Sequence, residues 1–181
     1  TDGVEGELFV NGKSQGRVKK NKDSRLDRYR LRWNNVKYEP GEIKVVAYDE
    51  NGNKIGEDVR KTAGEPTQLV LDVETMSSKA ATLQADGDDM AFVSVSMTDN
   101  DGTFCPTADN QLEFEVTGNG TYQAACNGDA TSIEVFTEPT MKLFSGKVVV
   151  IVRSTKQPGT LTLKVTDKKN NITKSVDIKT I

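Results

Sequence analysis

Histidine is missing altogether from this 181-residue chain. Without imidazole there is no Ser–His or Cys–His nucleophile pair and no histidine metal ligand. Acid–base work near neutral pH would fall to carboxylates, lysine or tyrosine. Cysteine occurs only twice, too few thiolates for a zinc site. No metal site and no cofactor are therefore expected. Hydrophobic residues reach 35% and aromatic residues 6%, against ~45–50% apolar residues in an average globular chain. The longest purely aliphatic run, Val148 to Val152, is five residues; a membrane-spanning helix needs about 20, so membrane insertion is not expected. The chain opens Thr1-Asp2-Gly3, with neither initiator Met nor signal peptide, and reads as a processed product or an excised piece of something longer.

What is present is a period of two. Leu69, Leu71 and Val73 alternate with polar neighbours or Val70. Val93, Val95 and Met97 do the same, as do Leu112, Phe114 and Val116, then Leu161, Leu163 and Val165, and Val176 with Ile178. Each run turns one apolar face inward, the pattern of a half-buried antiparallel strand. Val148 to Val152 is continuous and β-branched, which predicts a central strand. Met76 to Thr82 allows a short helical turn or a loop. Between the runs, Asn11-Gly12, Asn51-Gly52 and Asp101-Gly102 predict type I′ hairpin turns, because both central residues of that turn need φ > 0. Asp86-Gly87 and Asn170-Asn171 are weaker versions. The spacing predicts an all-β fold of two blocks, residues 1–65 and 66–181, joined at Lys61-Thr62-Ala63-Gly64-Glu65-Pro66, where Gly and Pro interrupt the pattern.

Charge is uneven although the net charge is only −3. From Arg17 to Lys37, nine cations face two carboxylates, a net +7, which leaves −10 for the remainder.

Several ordered segments resemble a known family. Glu7 to Gly16 reads ELFVNGKSQG, Arg32 to Glu42 reads RWNNVKYEPGE, Ile43 to Asp49 reads IKVVAYD and Lys61 to Pro66 reads KTAGEP. This set resembles an immunoglobulin-like domain C-terminal to the catalytic barrel in bacterial glycoside hydrolase family 2, the β-galactosidase-like enzymes above all. DNDGTFCPTADN at Asp99 to Asn110, NGDATS at Asn127 to Ser132 and FSGKVVVIVR at Phe144 to Arg153 resemble the further, invasin/intimin-type domain that closes such enzymes. The resemblance implies two tandem immunoglobulin-like β-sandwiches. It also implies that a strand usually precedes the ELFVNGKS hairpin, so the first sandwich is expected to be incomplete. It places the catalytic glutamates in an upstream barrel, so no catalytic residue is assigned here. The implied function is a non-catalytic accessory region that braces the upstream catalytic domains or supports oligomer contacts, in a periplasmic or secreted enzyme. A carbohydrate-binding module and an Ig-like segment of a bacterial surface adhesin are the alternatives.

A glycosidase needs two carboxylates flanking a sugar, but Glu113 and Glu115 lie on one strand's polar face and Asp86, Asp88 and Asp89 in one loop, which reads as solvated acid. Asp99-Asn100-Asp101-Gly102 has the start of a calcium loop, yet the twelfth position is Asn110 rather than Glu, and the hairpin reading is the stronger. Trp33 shares strand parity with Leu31 and Tyr29, which argues for the core; as sugar platforms it and Tyr38 are the weak carbohydrate-binding candidates, Tyr38 and Tyr48 being the more plausible exposed rings. The basic segment reads as a solvated face or a surface for an acidic partner; no nucleic-acid motif accompanies it. The sequons Asn119-Gly120-Thr121 and Asn171-Ile172-Thr173 read as turns. Beside the family, which is not usually Cys at these positions, Cys105 and Cys126 at two strand ends suggest a structural disulfide; two separate buried thiols remain the competing reading.

Overall fold

The computed structural model describes residues 3–75 and 82–181. Of the stretch Met76 to Thr82, only Thr82 falls within the described residues, where it opens a strand; the rest of the expected helical turn or loop lies outside them. Every described element is a β-strand. The chain divides at Thr62 into two compact units, a little before the boundary expected at residue 65. The hydrogen bonds explain the difference: Gly64 N–H donates to Asp99 Oδ2 at 2.8 Å and Thr67 N–H to Thr98 O at 2.9 Å, which ties this segment to the second unit.

The first unit is one antiparallel sheet of β1 (Glu5–Val10), β2 (Lys13–Lys19), β3 (Glu42–Tyr48) and β4 (Lys54–Lys61), in the order β2-β1-β3-β4. Among the described residues this unit has a single sheet layer. Asn11 and Gly12, with φ of 47° and 77°, make the expected two-residue turn between β1 and β2. The other two Asn/Asp–Gly pairs differ: only Gly52 (φ 82°) and Gly102 (φ 78°) take positive φ. There Asp49 and Asp99 accept the backbone N–H groups of the turn, giving wider loops than type I′.

Beyond β2, residues 20–41 contain no strand, so the parity argument for Trp33 fails, but Leu31 and Trp33 still meet over the sheet. A Cβ at Gly6 would lie 2.7 Å from Leu31 Cδ1 and 3.4 Å from Trp33 Cη2. Gly6 thus leaves the room into which both side chains pack. Residues opposed across the ladder share a face, and Leu8 with Val45 and Val10 with Ile43 continue the apolar stripe from Gly6. The opposite face is covered by long polar side chains: the Arg17 guanidinium lies 3.9 Å over the Tyr48 ring and Lys44 Nζ lies 5.2 Å over Phe9.

The second unit is a closed two-sheet sandwich. One sheet runs β5-β7-β11-β9, from β5 (Gln68–Thr75), β7 (Met90–Thr98), β11 (Lys147–Ser154) and β9 (Gly120–Cys126). The other runs β10-β8-β12-β13-β6, from β10 (Thr140–Lys142), β8 (Gln111–Gly118), β12 (Gly159–Asp167), β13 (Ile172–Thr180) and β6 (Thr82–Leu83). Setting the extra strand β10 aside, these are the ABED and CFG sheets of an immunoglobulin-like fold, with β6 added in parallel to β13. The alternating runs place Val93, Val95, Leu112, Leu161, Leu163 and Val165 at 0% exposure between the sheets. Strand β11 lies between β7 and β9, the central place its continuous valine run predicted. At the bend from β8 into β9, a Cβ on Gly120 would collide with Leu161, so the crossing depends on that glycine.

Candidate functional site

The carboxylates do not converge. Asp99 is 7% exposed and Asp167 is fully buried. Asp99 Oδ1 accepts N–H from Asp101 and Thr103 and Oδ2 accepts N–H from Gly64. The Gly64 amide, with the turn amides, holds this carboxyl below its ordinary pKa despite burial. The oxygens a calcium ion would need are thus occupied by backbone donors, and Asp99-Asn100-Asp101-Gly102 is a turn. Asp86 accepts the N–H groups of Asp88 and Asp89 in the same manner. Glu113 and Glu115 pair with Lys168 at 2.7 Å and Lys164 at 3.0 Å on an exposed sheet face. Among the described residues no group of three or more Cys, Asp and Glu side chains could hold a metal.

The aromatic candidates part company. Trp33 is half-buried and its indole Nε1–H donates to Gly16 O at 2.9 Å, so both its ring and its polar atom are engaged with the sheet. Tyr38 is 77% exposed, and its hydroxyl lies 3.2 Å from Thr62 Oγ1. Tyr48 is half-buried beneath Arg17. The structure does not bring Trp33 and Tyr38 into one described contact. In the basic segment, Arg32 pairs with Asp27 at 2.7 Å and Lys22 with Glu50 at 3.8 Å, while Arg28 lies 5.6 Å over the exposed Tyr29 ring. Pairs as exposed as Lys22–Glu50 contribute little to stability.

The disulfide expectation is corrected: Cys105 and Cys126 are free thiols. Cys105 N–H donates to Met97 O on β7, and its buried Sγ lies 3.5 Å from Gly64 O. Cys126 ends β9, which pairs with β11, the strand between it and β7. Two strand spacings are about 9–10 Å, beyond the ~7 Å Cα separation a disulfide spans. Burial, with Asp99 and Glu65 nearby, raises the Cys105 pKa, so this thiol is not activated. The sequon Asn119 is a structural residue: its amide donates to Gln157 O and Pro158 O at 3.0 and 2.7 Å.

Two features escaped the sequence. One is a loop between β9 and β10 on which Ile133, Val135 and Phe136 are 97%, 58% and 56% exposed. The loop is held in place: Tyr122 Oη donates to Phe136 O or Glu138 O, and Ala125 N–H donates to Phe136 O. Its apolar residues have no alternation to reveal which of them face solvent. The other is an open cleft of about 690 Å³ in the second unit, formed where residues 65–67, 109–111, Lys142 and the β12–β13 turn converge. These segments are far apart in the chain, so no local motif announces the cleft.

A closed ABED/CFG sandwich preceded by a single sheet, with its buried carboxylates serving turns, defines an all-β immunoglobulin-like module. Comparison with known proteins then gives the family. Residues 75–175 match glycoside hydrolase family 2 C-terminal domain 5, and residues 1–56 match a domain of unknown function (DUF4982). The chain belongs to the glycoside hydrolase family 2 C-terminal domain 5 family. It is 41% identical over 162 residues to β-galactosidase BoGH2A of Bacteroides ovatus, covering 90% of this chain and 18% of that protein. It is 28% identical over 160 residues to a β-glucuronidase of Formosa agariphila, covering 86% and 15%. The fold matches a glycoside hydrolase family 2 member of Bacteroides cellulosilyticus with a TM-score of 0.88 at 26% identity, over 98% of this chain and 22% of that one. The chain thus spans less than a fifth of the curated relatives' length.

Proposed function

We propose that this chain is a non-catalytic accessory region of a family 2 glycoside hydrolase, β-galactosidase-like, that braces the catalytic domains of the same polypeptide or supports its oligomer contacts. The observation that carries the reading is the use of the carboxylates. Both buried ones, Asp99 and Asp167, accept N–H groups from turns and neighbouring amides, and Glu113 and Glu115 of β8 are salt-bridged on an open face. A hydrolase of this chemistry needs an acid and a nucleophile facing each other across a sugar, about 5 Å apart or more. The 41% identity to a protein named as a β-galactosidase supports the parent's activity. The pinned loop with Ile133, Val135 and Phe136 turned outward supports a docking role, because exposed apolar side chains in a cluster mark contact surfaces. On the family resemblance we further infer a periplasmic or secreted parent.

The pure chain is expected to leave 4-nitrophenyl β-D-galactopyranoside unhydrolysed over the buffer rate; sustained turnover overturns the reading. Phe136→Ser placed in the longer polypeptide is expected to lower that protein's thermal midpoint while leaving the midpoint of the 181-residue chain unchanged.

A further inference from the structure

The cleft of the second unit has a donor and acceptor set that can be assigned atom by atom. Two of its lining residues are held by the fully buried Asp167 carboxylate, which accepts from Asn110 Nδ2 at 2.6 Å, Asn170 Nδ2 at 2.7 Å and Asn170 N–H at 3.2 Å. A carboxylate with these partners only accepts, so the nitrogen ends of both carboxamides are fixed on it. Their carbonyl oxygens, Oδ1 of Asn110 and Asn170, accept no hydrogen bond among the described residues. Gln111 is held in the same sense. Thr140 Oγ1 donates to Leu112 O and must therefore accept from Gln111 Nε2, at 2.8 Å. Three oriented amide oxygens thus belong to residues that line one cleft.

Four charged side chains also line it: Lys142 and Lys169 against Glu65 and Asp109. None of the four makes an ion pair with another described residue, and their charges cancel. The ammonium groups count against a cation, and the carboxylates count against a phosphate or sulfate. An apolar ligand would leave the amide oxygens and ammonium groups unpaired at a cost. A ligand suited to the set must donate to amide and carboxylate oxygens and accept from ammonium groups through the same kind of atom, as a sugar hydroxyl does. Pro66 and Ile172, half-buried in the lining, offer apolar surface to the C–H face of a ring.

We infer that this cleft is a binding subsite for a neutral oligosaccharide. Its acceptors are the carbonyl oxygens of Asn110, Gln111 and Asn170, and its donors are Lys142 and Lys169. Asp167 is the positioning residue that holds two of the amides. Among the described residues no aromatic ring lines the cleft, so the interaction is weak, with a dissociation constant on the order of 1 mM. The inference goes beyond the accessory role and does not depend on it, since a bracing module and a free one could each carry the cleft.

The test is a ¹H–¹⁵N titration of the whole 181-residue chain with cellotetraose, xylotetraose and β-1,4-galactotetraose, with trigalacturonate as the anionic counterpart. At least one neutral tetrasaccharide is expected to give saturable shifts of the Asn110 and Asn170 side-chain amides and of the Gln111 and Lys169 backbone. The double variant Lys142→Ala/Lys169→Ala, at two exposed positions, is expected to weaken that binding about fivefold or more with an unchanged spectrum elsewhere. The inference is overturned by no saturable shift from any neutral probe, by shifts centred on Trp33 or Tyr38 instead, by trigalacturonate binding alone, or by full affinity in the double variant. Hydrolysis of a galactoside by the chain would refute the accessory reading and leave this result untouched.

Discussion

The two units are made of strands of similar length but hold together differently. Among the described residues of the second unit, twenty hydrophobic side chains form one buried cluster. In the first unit only Leu8, Val10 and Val46 reach that level of burial. Alternation places an apolar stripe on one face of a sheet, but the stripe is buried only if a second layer covers it. The second unit has that layer. The first substitutes a loop, residues 20–41, that lays Leu31 and Trp33 on Gly6, and a polar face on which Arg17 and Lys44 extend over Tyr48 and Phe9. The stems of such side chains shield apolar surface while their charges stay in water. The comparison implies a stable second unit and a marginal first one, which is where the predictions bear.

The largest effect is expected from Leu163→Ala, which empties a fully buried site between the sheets. It should lower the second unit's unfolding free energy by about 3–5 kcal/mol in urea denaturation. A loss under about 1 kcal/mol would mean that the two sheets are not closely packed.

Trp33 is the only tryptophan, so its fluorescence reports on the first unit alone. In a urea titration, its transition should come at lower denaturant than the far-ultraviolet circular dichroism change of the β-rich second unit. Coincident transitions would break the comparison. Trp33→Ala should cost the first unit about 2–3 kcal/mol, below the ~3–5 kcal/mol of a fully buried aromatic ring because this one is half-buried. A neutral result would return Trp33 to the surface as a candidate platform.

The smallest effect is acid sensitivity of the second unit. Burial pushes the Asp167 carboxyl up, yet the amides of Asn170 and Asn110 outweigh it and hold the pKa below the ordinary 3.8. Asp99 is lowered likewise, by the Gly64 amide first. A carboxyl whose folded pKa is depressed favours the unfolded chain once protonated. Its stabilisation is complete above the ordinary value and is lost as pH falls through the folded value. The thermal midpoint of the second unit should therefore be flat between about pH 5 and 7 and drop by several degrees below about pH 4. In Asp167→Asn the midpoint should already be lower at neutral pH, and the acid drop shallower. An equal drop in variant and parent would remove Asp167 from the account.

Much of this was legible in the residues. Val93, Leu112, Leu161 and Val165 announced their strands through a period of two, and Val148 to Val152 its central place through continuity. Asn11-Gly12 announced its turn, since few residues tolerate φ > 0. Asn51-Gly52 and Asp101-Gly102 were read as turns but of the wrong type. There an Asp three residues before the Gly, Asp49 or Asp99, captures the turn amides, and side-chain capture overrides the dipeptide preference. The shared parity of Trp33 and Leu31 predicts a strand; the two meet without one, because Gly6 opposite them leaves space.

By itself, the sequence determined the all-β class, the strand faces of the second unit and the kinship to a family, because periodicity and turn residues act over a few neighbours. Tertiary structure alone decided that Cys105 and Cys126 stay apart, since strand order, not spacing along the chain, sets which strand ends adjoin. It alone decided which apolar loop residues face water, since burial depends on what packs against them. It also held Asn110 and Asn170 on Asp167 and brought them into one cleft with Lys142, because a cleft is made by segments that meet only when the two sheets close.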